Sequence, residues 1–237
     1  SLSTDLAAMS RLIAHRGPDG LGQWQSDNGQ VGMVHRRLAI IDLSESAAQP
    51  MQAANGTVIT YNGEIYNYPE LREALKPHWT FRTHSDTECI LAAYDRHGDA
   101  CLDHLRGMFA FALWDENSQR LFCARDRFGI KPFYYAVVEG VFYFASEAKA
   151  LLPFLPSIRT NDAALAEYLT FQYTIGEKTL FDGIRQLLPG HALAVENGQV
   201  RVWRYWDVSY QIDYDHSSTY FHNRLRELLE ESIALHG

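Results

Sequence analysis

Tyr61-Asn62-Gly63-Glu64-Ile65-Tyr66-Asn67 holds the residues of this sequence best suited to chemistry. Val58 to Tyr61 is β-branched and aromatic and reads as a strand. It runs into Asn-Gly, the pair best able to adopt φ > 0, so a sharp turn is expected at 62–63. A tight turn at a strand end can aim the side-chain amide of Asn62 and the bare backbone N–H of Gly63 at one point. Two such donors make an oxyanion hole, which stabilises negative charge developing on a carbonyl oxygen under attack. A glycine at 63 also allows backbone to approach a ligand closely. Asn-Gly after a strand is by itself more often a plain turn, so the reading depends on the residues around it.

Those residues form a series along most of the chain. His15-Arg16-Gly17-Pro18-Asp19-Gly20 is followed by His35-Arg36-Arg37-Leu38-Ala39-Ile40-Ile41-Asp42 and Gln49-Pro50-Met51. After the Asn-Gly-Glu segment come Ser85-Asp86-Thr87-Glu88, Arg106-Gly107-Met108-Phe109-Ala110-Phe111, Ala124-Arg125-Asp126-Arg127-Phe128-Gly129-Ile130-Lys131-Pro132 and Ala145-Ser146-Glu147. Leu188-Pro189-Gly190-His191 and Arg204-Tyr205-Trp206 close the series. In order and spacing it resembles the N-terminal glutaminase domain of glutamine-hydrolysing asparagine synthetases, a class II glutamine amidotransferase, over residues 9 to 207.

The resemblance implies a set of roles. Hydrolysis of glutamine's side-chain amide needs a nucleophile, a base, an oxyanion hole and grips for the two charged ends of the amino acid. Arg37 is the expected grip for the α-carboxylate, which a planar guanidinium meets bidentately. Backbone of Leu38, Ala39, Ile40 and Ile41 would line the same cleft. Strand alternation puts Arg36 and Arg37 on opposite faces, so one of them at most enters a given pocket. Asp86 is the expected partner of the α-ammonium, Glu64 is expected to help hold that end, and Asn62 with Gly63 forms the oxyanion hole. The Arg16-Gly17-Pro18-Asp19-Gly20 turn is expected beneath the site. Arg125-Asp126-Arg127 and Lys131 read as either an internal ion-pair network or part of an interdomain face.

In the family the nucleophile is a cysteine at the mature N-terminus, and its own α-amino group is the base. This sequence opens Ser1-Leu2-Ser3-Thr4, and the stretch before His15-Arg16-Gly17 is too short for the strand that cysteine would begin. Cys89 falls in an expected helix, Cys101 in a short helix and Cys123 in mid-strand, all read as packing residues. The expectation is therefore a chain derived from a glutaminase that, as it stands, does not hydrolyse glutamine efficiently. It also predicts a sheet short of one strand, with unpaired backbone groups open to another chain.

Composition bounds these readings. The 237 residues, 46% hydrophobic and 13% aromatic, can build a substantial core. A formal charge of −8 argues against a nucleic-acid partner. No apolar run reaches the roughly 20 residues of a membrane span, and Ser1 to Arg16 lacks the pattern of a signal peptide. Three cysteines without CxxC spacing fit reduced thiols in the cytoplasm, and the ten histidines show no metal-binding spacing.

The elements that must position the site follow from patterning. Helices are expected at Thr4 to Ile13, Pro69 to Leu75, Asp86 to His97 with Ser85 as cap, and Asn161 to Phe171. Strands are expected within 22–43, at 57–61, and as three runs, Met108–Trp114, Arg120–Ala124 and Phe133–Phe144. A hairpin has its tip at Val195 to Val200. The mixture reads as an α+β layered domain. The resemblance sharpens this to two stacked antiparallel sheets flanked by helices, the four-layer sandwich of N-terminal-nucleophile hydrolases.

Residues 1–207 would be the amidotransferase domain and 208–237 a linker and helix. That helix, with Phe221, Leu225, Leu228, Leu229 and Ile233 on one face, either begins a synthetase domain or packs on its own domain. No phosphate loop occurs, so no cofactor is expected here; ATP and Mg would belong to the synthetase domain. The implied partners are L-glutamine and a C-terminal ATP-dependent synthetase domain. Three functions stay open: the glutaminase of an asparagine synthetase, an amidotransferase domain serving another acceptor, and a non-catalytic glutamine-binding or dimerising module, the last allowing a homodimer.

Overall fold

A computed structural model describes residues 1–38 and 47–236. Helix α1 (Leu2–Leu12) leads through a short turn into the hairpin β1 (Gly20–Gln25) and β2 (Gly32–Arg37). The short β3 (Met51–Gln52) precedes the longer β4 (Val58–Ile65), then come helices α2 (Tyr68–Leu75) and α3 (Asp86–His97). Strands β5 (Gly107–Asp115), β6 (Arg120–Arg125), β7 (Tyr134–Val138) and β8 (Val141–Ala145) follow. After helix α4 (Asp162–Phe171) come β9 (Arg185–Gln186), β10 (His191–Glu196), β11 (Gln199–Arg204) and the final helix α5 (Ser218–His236).

Six strands form one antiparallel sheet in the order β11-β10-β6-β5-β4-β3. Facing it are the β1-β2 hairpin and the antiparallel sheet β8-β7-β9. Three apolar clusters define the layers. Ile59, Tyr61, Ile65, Phe109 and Phe111 pack the six-stranded sheet against Leu71 and Leu75 of α2 and Ile90 and Leu91 of α3. On the sheet's other face, Val58, Ala110, Ala112 and Leu121 meet Met33, Phe133 and Tyr135. Met9 of α1 packs with Ala136, Leu151 and Ile184 on the far side. The result is helices, sheet, sheet, helix: the four-layer α+β sandwich that the resemblance implied.

Local signals explain the elements. Ser85 caps α3, its hydroxyl accepting from Thr87 N–H at 3.2 Å, and Gly98 at φ 58° ends the helix. Asn161 caps α4 by accepting from Ala164 N–H at 3.1 Å. Asn197 and Gly198, both at positive φ, turn β10 into β11. The expected strand run 133–144 is instead two strands, because Glu139 and Gly140 take positive φ and fold it into the β7-β8 hairpin.

The expected turn at Asn62-Gly63 is also corrected. β4 continues through Ile65, with Asn62 opposite Ala110, Gly63 opposite Phe109 and Glu64 opposite Met108. The long β5 partner keeps the ladder going, so the chain turns only after Ile65. Glycine is needed at 63 because a Cβ there would lie 2.2 Å from the Met108 carbonyl oxygen and 2.7 Å from Phe109 Cα.

The Arg125-Asp126 segment is a backbone clamp rather than an ion-pair network. Arg125 donates to the carbonyls of Leu187 (2.6 Å), Lys131 (2.7 Å) and Gly129 (2.8 Å). Asp126 accepts from the N–H groups of Phe109, Phe128, Ile130 and Lys131. Both charges are spent holding one loop against β5 and β9. Helix α5 leaves Phe221, Leu225, Leu228, Leu229 and Ile233 exposed, and Arg106 meets its Glu231 at 3.4 Å. Its apolar face stays largely exposed.

A candidate glutamine site in an open slot

One cavity of about 910 Å³ lies between the layers, lined by β2, β4, β5, β8 and the start of α3. β2 pairs with β1 and β8 with β7; among the described residues each leaves its other edge unpaired, and both edges border the cavity. Apolar side chains of Met33, Ala110, Ala112 and Phe144 line it. Arg37, Leu38, Asn62, Gly63, Glu64 and Asp86 line it too, Asn62 directly opposite Ala110 on the neighbouring strand. Ala39, Ile40 and Ile41 lie outside the described residues.

Strand alternation in β4 sorts its side chains. Ile59, Tyr61 and Ile65 point to the α2-α3 layer, whereas Thr60, Asn62 and Glu64 line the cavity. The Asn62 side-chain nitrogen is buried with no hydrogen-bond partner among the described residues. A buried amide without a partner costs about 1–3 kcal/mol, so a ligand oxygen accepting from it has that much to recover.

Backbone direction alternates too. Tyr61 N–H donates to Gln49 Oε1 at 2.6 Å and Ile65 N–H to Asp86 Oδ2 at 3.0 Å, both away from β5. Gly63, midway between them, presents its N–H to that same side. The strand thus delivers a side-chain amide and a backbone N–H side by side without the turn expected from sequence.

The charged ends are placed by other elements. Arg36 and Arg37 both line the cavity, against the expectation that one at most would; Arg36 donates to Ser10 Oγ at 2.9 Å, pinning it to α1, and Asp19 N–H donates to the Arg37 carbonyl at 3.0 Å. The turn before β1 packs directly behind these arginines, since a Cβ on Gly17 would lie 2.2 Å from the Arg36 carbonyl carbon. Asp86, at the first turn of α3, is 4% exposed. Its Oδ2 accepts from the Tyr61 hydroxyl at 2.7 Å, and Ser85 Oγ lies 3.5 Å from Oδ1. Burial raises its pKa, opposed by the Ile65 N–H, the Tyr61 hydroxyl and the backbone of α3. An ammonium group beside it would restore the charged form.

His35 also lines the cavity, and burial, then the charge of Arg37, lowers its pKa to about 4. It is neutral at physiological pH and cannot act as a cationic grip. None of Cys89, Cys101 and Cys123 lines the cavity, and burial pushes the thiol of each up, Cys89 to about 12. Among the described residues no group of three or more metal-ligating side chains assembles, and no helix is long and apolar enough to cross a membrane.

Sequence reasoning missed Gln49, Tyr61, Thr60 and His35. Gln49 and His35 fall in the motifs of the resemblance, but nothing local marked them as lining a site. Tyr61 read only as a strand residue.

A family model described as a glutamine amidotransferase domain matches residues 1–206. The chain belongs to that family. It is 40% identical over 206 residues to asparagine synthetase [glutamine-hydrolyzing] 1 of Bacillus subtilis (strain 168), covering 86% of this chain and 32% of the relative. It is 41% identical over 201 residues to amidase chry2 of Gibberella zeae, covering 84% of this chain and 30% of that protein. Asparagine synthetase B of Escherichia coli K12 is 36% identical over 232 residues, covering 96% and 36%. The chain therefore spans about a third of the length of these curated relatives. Among solved structures, the glutamine PRPP amidotransferase of B. subtilis shares the fold, with a TM-score of 0.61 at 19% identity over 84% of this chain and 46% of that one.

Proposed function

We propose that this amidotransferase domain binds L-glutamine and serves as the glutaminase part of a glutamine-dependent asparagine synthetase, releasing ammonia for transfer to activated aspartate. One observation carries the reading. Arg37, Asn62, the Gly63 N–H and Asp86 border a single cavity, which so offers a cation, a carboxylate and two neutral donors. That set matches the groups of glutamine: α-carboxylate to Arg37, α-ammonium to Asp86 with Glu64 nearby, and the amide carbonyl to Asn62 and Gly63. Hydrolysis attacks that carbonyl, and the two donors stabilise the oxyanion of the tetrahedral intermediate.

The nucleophile enters on an extended segment seated between β2 and β8. The open edges of both strands and the apolar cavity between them support this, as does the burial of all three cysteines away from it. Residues 208–237 act as linker and first helix of a synthetase domain, where ATP and Mg bind; the exposed apolar face of α5 supports a partner there. Three unpaired thiols fit a reducing compartment such as the cytoplasm.

A second reading, an amidotransferase domain that serves a different acceptor, is favoured by the similarity to a protein named an amidase. Both readings share the glutamine site. Calorimetric titration with L-glutamine tests it: saturable binding is expected, abolished by Arg37→Ala. No binding to the unaltered chain would overturn the site.

A further inference from the structure

We infer that Tyr61 is the positioning residue of the ammonium grip: its buried hydroxyl holds Asp86 Oδ2 and so orients the carboxylate that meets the amino group of the ligand. The inference rests on the glutamine reading of the cavity.

Tyr61 sits on the face of β4 opposite Asn62, packed with Ile59 and Ile65 in the α2-α3 core at 4% exposure. It reaches Asp86 from beneath, 2.7 Å from hydroxyl to Oδ2. Oδ2 also accepts from the Ile65 N–H at 3.0 Å, so two donors from β4 fix one carboxylate oxygen. An aspartate carboxylate rotates broadly about its last torsion when unrestrained. Two donors on Oδ2, with Ser85 Oγ 3.5 Å from Oδ1, remove that freedom and fix the orientation of the carboxylate. Tyr61 is itself held: its own N–H is bound by Gln49 Oε1 at 2.6 Å, and burial followed by the Asp86 charge pushes its pKa well up. The phenol therefore stays protonated and remains a donor. A hydroxyl donating to a buried carboxylate also favours the ionised form, which alone attracts an ammonium.

Sequence alone would read this tyrosine as core, and its ring is core. The hydroxyl is what does not belong to packing, because a phenylalanine would fill the same space.

The test uses the chain as it is, titrated with L-glutamine and with its des-amino analogue, which keeps the carboxylate and the side-chain amide. Tyr61→Phe keeps the ring and is expected to weaken glutamine by about 10- to 100-fold, the range for a hydrogen bond to a charged group. The des-amino analogue should bind both proteins equally. The acid limb of glutamine binding should move to higher pH, because Asp86 loses a donor to its charged form. In an Asp86→Asn background Tyr61→Phe should cost nothing more. Unchanged glutamine affinity overturns the inference, as does an equal loss for both ligands with an unmoved acid limb, or a full additional loss in the Asp86→Asn background. Failure of the unaltered chain to bind either ligand instead overturns the glutamine reading itself.

Discussion

His35 Nδ1 lies 3.2 Å from Thr60 Oγ1, tying β2 to β4 across the cavity. The contact joins the hairpin that carries Arg37 to the strand that carries Asn62. Burial and the charge of Arg37 keep the imidazole neutral, with its pKa lowered to about 4.

Stability should accordingly depend on this histidine in acid. The unfolded chain takes up a proton near the ordinary histidine value of about 6.5, whereas the folded chain waits until about 4. Between those values the unfolded state binds more protons, so stability falls as pH drops through the window and levels off below it. The slope is about 1.4 kcal/mol per pH unit, or about 3 kcal/mol in all. Urea unfolding of His35→Gln across that range should show the slope flattened; an unchanged slope would refute the assignment.

On the proposed reading of the site, Asn62→Ala removes one of two oxyanion donors. In a glutamine-hydrolysing form of the protein kcat should fall by about 10²–10³ while KM changes little, because the donor acts on charge present only in the transition state. Steady-state ammonia release measures both. A KM effect alone would mean that Asn62 only binds ground-state glutamine.

Gly63→Ala adds a Cβ against backbone, 2.2 Å from the Met108 carbonyl oxygen and 2.7 Å from Phe109 Cα. Neither is a flexible side-chain end, so β4 must separate from β5. A loss of at least about 1–3 kcal/mol is expected in denaturant unfolding. Wild-type stability in this variant would show that the ladder near Gly63 is looser than described.

Asp126→Asn replaces an acceptor of four backbone N–H groups by an amide that can accept at one atom only. A destabilisation of about 2–3 kcal/mol is expected. Asp126→Ala should cost no less, and a neutral result for both would remove the clamp from the account of the fold.

The three thiols should not react with an aromatic disulfide at neutral pH in the native chain, since burial disfavours each thiolate. All three should react in denaturant. Rapid native labelling of any one would contradict its packing role.

Much of this architecture was legible in the sequence where local chemistry decides it. Ser85 before Asp86 fixed the start of α3, and Gly98 its end; Asn197-Gly198 fixed the last hairpin. The Asn62-Gly63 turn was misread because a local preference for φ > 0 was overruled by pairing with β5, a partner more than 40 residues away. Glycine at 63 answers to crowding from Met108 and Phe109, which no local window contains. Of Arg125-Asp126-Arg127 and Lys131, read as an ion-pair network or an interdomain face, the first two show neither in their hydrogen bonds: Arg125 and Asp126 each serve backbone groups. For the site, Arg37, Asn62, Gly63, Glu64 and Asp86 were legible only as motifs in a familiar order. Gln49 and Tyr61 were not, because their roles come from bonds that cross elements.

Among the described residues β2 and β8 each keep one edge unpaired, and that has a practical side. A short synthetic peptide of alternating apolar character, offered in solution, can be captured there by backbone bonds on two sides at once. Whatever occupies the gap stabilises the folded form by mass action, so the melting temperature should climb with peptide concentration. Left vacant in a concentrated sample, the same gap makes each molecule adhesive toward its neighbours.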